Sequence, residues 1–228
     1  MYIWLADTAE IWLRDCCCRL LPVLSAEEQA KAFCYMRETD RLCSIAGRLM
    51  VRAEAARVLG TASVKILLSD YGKPFFAAEN AFQFNLSHSG GLVVMAVSDT
   101  PVGVDTERIL PLAWQDIAET FSPQEQRMLH QAADPLVCFY RIWTVREAFS
   151  KAIGTGLPVF ANEPVCFHYG SGQVRYQGKT LYFSTRQFSD CLVSVCTYQK
   201  ESPEIRHLKE SDLLQPLSGG FRETEKLS

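Results

Sequence analysis

Apolar and polar positions fall into two periodicities along the chain. Phe82 to Ser87 alternates at period two and predicts a strand ending at Ser87. Leu92 to Val97 and Val102 to Thr106 are β-branched, apolar runs separated by turn residues, so strand, Gly-rich turn, strand, turn, short strand is expected from Ser87 to Glu107. Residues 1–20 predict a strand and a less regular segment. Ser25 followed by Glu28 has capping-box spacing. It predicts the start of a long helix from about Ala26 to Leu59, with Phe33, Met36, Leu42, Ile45, Leu49, Val51, Ala55 and Val58 as its apolar positions. Gly47 marks either a break or a close contact, and Gly60 a stop. Val64 to Leu68 predicts a short strand, and Asp70-Tyr71-Gly72-Lys73-Pro74 a turn. Ser122-Pro123-Gln124-Glu125 is an N-cap with proline at the first helical position. A second long helix is expected from about Leu136 to Ile153, stopped by Gly154 and Gly156. Strands recur near Val165–His168, Val174–Tyr176, Leu181–Thr185 and Cys191–Tyr198. The tail after Glu201 is polar and weakly patterned, and predicts a loose extension.

Each half therefore carries a long helix and several antiparallel-type strands, which makes the fold class α+β. Length agrees: 228 residues fit one large domain or two small ones. Apolar residues make up 48% and charged residues 21%, which excludes a wholly disordered chain. The net charge of −3 argues against a broad nucleic-acid-binding surface. No run of 18 apolar residues predicts a membrane span, and Met1 to Glu10 carries Asp7 and Glu10 without a basic residue, unlike a signal peptide. Nine cysteines without a C-x-x-C pair, three of them consecutive, predict reduced thiols in a cytoplasmic protein and speak against structural zinc.

Four groupings could carry chemistry. Asp105 and Glu107 stand at i and i+2 on a strand, so they share a face with Cα atoms ~7 Å apart. Such a pair repels unless a cation lies between it, and hard oxygens suit Mg²⁺; alone it is an ordinary edge-strand pair. In Trp143-x-x-Arg146-Glu147-Ala148-x-x-Lys151, Glu147 and Lys151 face one side of a helix and alone read as a surface ion pair, with Trp143 in the core. Phe84-Asn85-Leu86-Ser87-His88-Ser89-Gly90-Gly91 offers hydroxyls, an imidazole and exposed backbone N–H groups to an anion; alone it is a hairpin, and no G-x-S-x-G supports a serine hydrolase. Gly72-Lys73-Pro74 is a turn with a cation.

The order and spacing of G-K-P, F-N-L-S-H-S-G, G-V-D-T-E and W-x-x-R-E-A-x-x-K over about residues 25–160 resemble the 4′-phosphopantetheinyl transferases, in their longer, monomeric, surfactin-synthetase-activating form. The resemblance implies two similar α+β halves, a pseudo-dimer, each with a long helix packed on a small, mainly antiparallel sheet. Residues 1–108 would form the first half, 109–200 the second, and 201–228 an extension. It implies transfer of 4′-phosphopantetheine from coenzyme A to a serine of an apo acyl, peptidyl or aryl carrier protein, releasing 3′,5′-ADP. The metal would be magnesium, or manganese in its place.

By the same resemblance Asp105, Glu107 and Glu147 would bind the metal, Glu147 would serve as base, and Lys151 would contact the pyrophosphate. Ser87 and His88 would contact coenzyme A phosphates. Lys73 would lie near the adenine and phosphate region, and Lys31 and Ser44 where the 3′-phosphate is held. The segment Trp114 to Phe121 would face the carrier. Three positions depart from the pattern: Arg146 replaces a lysine, Thr106 replaces isoleucine or valine, and Glu28 stands where a basic residue is common and would weaken the phosphate grip. Rival readings are a metal-dependent nucleotide pyrophosphate hydrolase and an inactive coenzyme-A- or carrier-binding module.

Overall fold

A computed structural model describes residues 1–77, 82–162 and 164–218. Its elements are β1 (Tyr2–Asp7), α1 (Ile11–Leu20), α2 (Ala26–Phe33), α3 (Glu38–Leu59), β2 (Ile66–Leu68), β3 (Pro74–Phe76), β4 (Gln83–Ser89), β5 (Leu92–Ser98), β6 (Val102–Arg108), α4 (Gln115–Ala118), α5 (Pro123–Gln131), α6 (Pro135–Ile153), α7 (Val159–Asn162), β7 (Cys166–His168), β8 (Gln173–Tyr176), β9 (Lys179–Phe188), β10 (Cys191–Thr197), β11 (Glu204–His207) and α8 (Glu210–Leu217).

Two sheets carry the fold. The first runs β11-β1-β5-β4 and the second β6-β10-β9-β8-β7; β2 and β3 form a separate hairpin. All pairs are antiparallel except β1 with β11. The long helix α3 covers the first sheet and α6 the second, as the α+β reading requires. Between the sheets, Ile3, Leu5, Val94 and Ala96 meet Val102, Val104, Val193 and Val195. β5 is therefore buried on both faces, one against helices and one against the second sheet, which explains its unbroken apolar run.

The structure corrects three expectations. The helix expected over 26–59 is two helices, α2 and α3, broken at Cys34–Arg37. Phe33 and Met36, expected among the apolar positions of that one helix, are 54% and 96% exposed. Turning there folds α2 back along α3, so that Glu28 reaches Arg52 at 2.6 Å. The tail is not a loose extension over residues 204–217. β11 adds to the first sheet beside β1, and Leu208, Leu213 and Leu217 enter the first core; residues 219–228 lie outside the described ones. Finally, β6, which belongs to residues 1–108 by chain order, takes its ladder bonds from β10 in the second sheet.

Gly47 lies inside α3, where a Cβ would sit 3.5 Å from Leu86, so it marks contact with the sheet and not a break. All nine cysteines are unpaired thiols. Among the described residues no helix is long and apolar enough to cross a membrane.

Candidate active site

The parity of β6 decides what faces α6. Val102 and Val104 point between the sheets, so Gly103, Asp105 and Glu107 point to the other side. At Gly103 a Cβ would stand 2.0 Å from the Ala148 carbonyl oxygen and 2.3 Å from the Ala152 nitrogen. Only glycine lets α6 lie this close, and the closeness brings the Glu147–Lys151 face of α6 over Asp105 and Glu107.

β4 approaches the open edge of β6 through side chains. Asn85 Oδ1 accepts the Val104 N–H at 2.8 Å, Ser87 Oγ that of Thr106 at 3.2 Å, and Ser89 Oγ that of Arg108 at 3.1 Å. Three alternate residues of one strand thus satisfy three alternate N–H groups of another. The two serines also donate outward, Ser87 to Asp105 Oδ1 and Ser89 to Glu107 Oε2, each at 2.9 Å. Thr106 keeps the strand intact, as its β-branching implies.

Lys151 Nζ donates to Asp105 Oδ1 at 2.6 Å and to Ser87 Oγ at 3.3 Å. Asp105 is 3% exposed, and its Oδ2 is buried without a hydrogen-bond partner. Burial raises the Asp105 carboxyl above its ordinary range, against the pull of Lys151. Burial also raises Glu107, with Asp105 adding to the effect and hydrogen bonds from Ser89 and Trp143 opposing it. Glu147 is raised by burial and by the neighbouring charges of Asp105 and Glu107, with Lys151 opposing. Each of the three carboxyls thus has an unfavourable environment for its charge that a divalent cation would relieve. The hard oxygen donors and the orphaned Asp105 Oδ2 fit such an ion. In the arrangement described, Lys151 holds the counter-charge position on Asp105, and among the described residues no three His, Cys, Asp or Glu side chains stand as a ready ligand group.

A cavity of about 850 Å³ opens beside this cluster, between α2, α3, the β2–β3 hairpin and β4. Ser87 and His88 line it, as do Lys31 and Ser44. Lys31 also pairs with Glu27 at 2.8 Å, and Ser44 is buried with its Oγ bonded to Arg48. Burial lowers the His88 pKa, with Asp40 opposing; its ring meets Tyr35 edge-on at 6.0 Å. Lys73 is placed differently. Gly72 and Pro74 line the cavity, while the Lys73 ammonium turns to the carbonyls of Val102 and Ala152.

Glu28 takes the buried Arg52 at 2.6 Å and caps the Ser25 N–H at 2.8 Å, so its charge is committed to α2 and α3. It also lines the cavity on the α2 side. Arg146 turns away from Glu147. It bonds the 1%-exposed Glu125 at 2.8 Å and lies 3.9 Å from the Phe160 ring centroid. Glu125 also accepts the Tyr169 hydroxyl at 2.6 Å, so the arginine fixes α6 against α5 and the loop after β7. Trp114 and Phe121 stack on Phe139 of α6, which leaves the polar residues between them at the surface.

Sequence reasoning missed Arg48, Tyr35, Ser89 and Trp143. Ser89 was visible as the third alternate polar residue of β4. Trp143 stands in the motif as an expected core residue, and Arg48 and Tyr35 gave no signal, since such residues have many uses.

Comparison with known proteins supplies the family. A family model described as the 4′-phosphopantetheinyl transferase superfamily matches residues 101–196, and one described as the N-terminal part of 4′-phosphopantetheinyl transferase matches residues 14–100. The chain belongs to the 4′-phosphopantetheinyl transferase superfamily. Relatives include a 4′-phosphopantetheinyl transferase of Bacillus subtilis, 33% identical over 61% of this chain and 64% of its own length. Another, gsp of Aneurinibacillus migulanus, is 34% identical over 61% and 60%. The transferase HetI of Nostoc sp. is 34% identical over 66% of each chain. The matches thus span less than two thirds of these relatives' own length. The boundary between the two models at residues 100 and 101 falls in the turn between β5 and β6, where the backbone passes from the first sheet to the second.

Proposed function

We propose that this superfamily member transfers the 4′-phosphopantetheine arm of coenzyme A to a serine hydroxyl on an apo acyl, peptidyl or aryl carrier protein, releasing 3′,5′-ADP. The observation that carries the reading is the convergence of Asp105 and Glu107 with Glu147 and Lys151 beside a large, partly basic cavity, to which Ser87, bonded to Asp105, connects them.

The cavity takes the nucleotide of coenzyme A. Lys31, Ser44 and Arg48 offer donors on the α2–α3 side, and His88 and Ser87 lead toward the pyrophosphate. Asp105, Glu107 and Glu147 would hold magnesium, or manganese. Such an ion, when bound, neutralises charge on the pyrophosphate oxygens.

The reaction is an in-line displacement. A bond forms between the carrier serine oxygen and the phosphorus bearing the pantetheine arm, and the bond from that phosphorus to the bridging oxygen breaks. Glu147 accepts the proton of the serine hydroxyl, with proximity and orientation at the site supplying most of the effect of a weak carboxylate base. Lys151 Nζ leaves Asp105 for the leaving phosphate and stabilises the charge developing there. Ser87 and Ser89 keep the β6 carboxylates oriented. The carrier approaches beside α4, from the side of residues 114–121. The unpaired thiols support a cytoplasmic setting, and the chain acts as a monomer because both halves of the site come from one chain.

Chromatography of the nucleotide products tests this reading. 3′,5′-ADP should appear only when coenzyme A, Mg²⁺ and a serine-bearing apo-carrier are all present. Cleavage of coenzyme A without any carrier would favour a pyrophosphate hydrolase.

A further inference from the structure

The ammonium of Lys73 is used by the protein itself. Lys73 sits on the turn between β2 and β3, and its Nζ donates to the carbonyl oxygens of Val102 at 3.1 Å and Ala152 at 3.3 Å. Val102 opens β6. Ala152 follows Lys151 in the last turn of α6, where the final carbonyls of a helix lack an N–H four residues on. Gly154, at φ +76°, ends the helix, and its N–H and that of Thr155 both return to the Ser150 carbonyl. A cation at this end is also favoured by the helix dipole. Lys73 finds carbonyls there and is largely shielded from water, which lowers its pKa to about 8.

The rest of the turn is docked at the same place. The Lys73 stem lies 3.9 Å from where a Gly154 Cβ would be, and the Tyr71 ring 3.6 Å from that of Gly156. Meanwhile Ile66, Leu67, Leu68, Gly72 and Pro74 of the hairpin wall the cavity. One end of the hairpin therefore shapes the cavity while its tip grips the helix that carries Glu147 and Lys151.

We propose that Lys73 is a positioning residue whose ammonium pins the β2–β3 wall of the cavity to the C-terminal end of α6, holding a nucleotide seated on that wall in register with Glu147 and Lys151. The proposal rests on the coenzyme A reading of the cavity, and it replaces direct phosphate contact as the task of the Lys73 side chain.

Lys73→Met keeps the length of the stem and removes the cation. Amide hydrogen exchange needs neither coenzyme A nor a carrier. In this variant, exchange should accelerate together at Ser69, Gly72 and Lys73 and at Gly154 and Thr155. Coenzyme A affinity, by isothermal titration, should stay close to that of wild type, while kcat should fall by about 10²-fold, the scale of a displaced reactant. Lys73→Arg, which can still donate to both carbonyls, should recover most of the exchange protection. Unchanged exchange in Lys73→Met, combined with a large, salt-sensitive loss of coenzyme A affinity and a preserved kcat, would make Lys73 a phosphate ligand and overturn the proposal. If Lys73→Met does not fold, the wild-type protein decides: the two amide groups should open as one unit with equal protection, and independent opening contradicts the tie. A wild-type protein that binds no coenzyme A would refute the function while leaving the exchange result to be read by itself.

Discussion

The Ser87 hydroxyl donates to Asp105 Oδ1 at 2.9 Å and accepts the N–H of the next residue, Thr106, at 3.2 Å. Ser89 repeats the arrangement two residues on, with Glu107 and the N–H of Arg108. Each serine of the first sheet therefore holds a carboxylate and a backbone group of the second. Orientation of the acidic pair and joining of the two halves are the same set of bonds.

Ser87→Ala should accordingly cost stability as well as activity. It leaves the Thr106 N–H without its acceptor and removes one of the two donors to Asp105 Oδ1, a loss of roughly 1–3 kcal/mol for buried groups. Urea unfolding of the metal-free protein checks this. A midpoint equal to that of wild type would mean that water or Lys151 fills the gap.

Arg146 is expected to act on the fold and not on the substrate. Arg146→Met leaves the buried Glu125 carboxylate without its counter-charge, and breaking a buried pair from one side costs about 3–5 kcal/mol. Arg146→Lys keeps the charge and should lose less. Thermal or urea unfolding of both variants measures the difference, and a Met variant as stable as wild type would contradict the buried-pair account.

The secondary elements were largely legible in the sequence because periodicity and caps are local. The Ser25–Glu28 and Ser122–Glu125 capping boxes form as spelled, and Gly60 and Gly154 end their helices in the left-handed region. The break between α2 and α3 was hidden because Cys34-Tyr35-Met36-Arg37 holds neither glycine nor proline, and the pairing of Glu28 with Arg52 that accompanies it is 24 residues distant. The membership of β6 in the second sheet and the docking of β11 on β1 were hidden for the same reason: partner choice is non-local. The approach of Asp105 and Glu107 to Lys151 was implied by a family resemblance, and its physical cause, the bare backbone of Gly103 under α6, became apparent only in three dimensions. The side-chain direction of Lys73 had no sequence signal at all.

His88 gives the pH-dependent prediction. Burial lowers its pKa, so it is predominantly neutral at pH 7 in the free protein. The unfolded chain then binds the proton more readily than the folded one, and this group's contribution to stability rises with pH up to about 6.5, the ordinary histidine value. A phosphate against the ring favours the cation, so coenzyme A binding near pH 7 should take up a proton at His88. Titration calorimetry in two buffers of different ionisation enthalpy reads that uptake, and His88→Gln should abolish it. Wild-type binding with no buffer dependence would remove His88 from the phosphate site.

The central claim is that the carboxylates of β6 and the Glu147–Lys151 face of α6 together move the phosphopantetheine arm onto a carrier. Its most direct test is the intact-protein mass of an apo-carrier after incubation with this protein, coenzyme A and saturating Mg²⁺. The account predicts a gain of one phosphopantetheine moiety on the carrier serine with wild type, none with Asp105→Ala, and a rate lower by about 10²–10⁴-fold with Glu147→Gln, the usual contribution of a general base. An unmodified carrier with folded, coenzyme-A-binding wild-type protein, or full speed from Glu147→Gln, would contradict it.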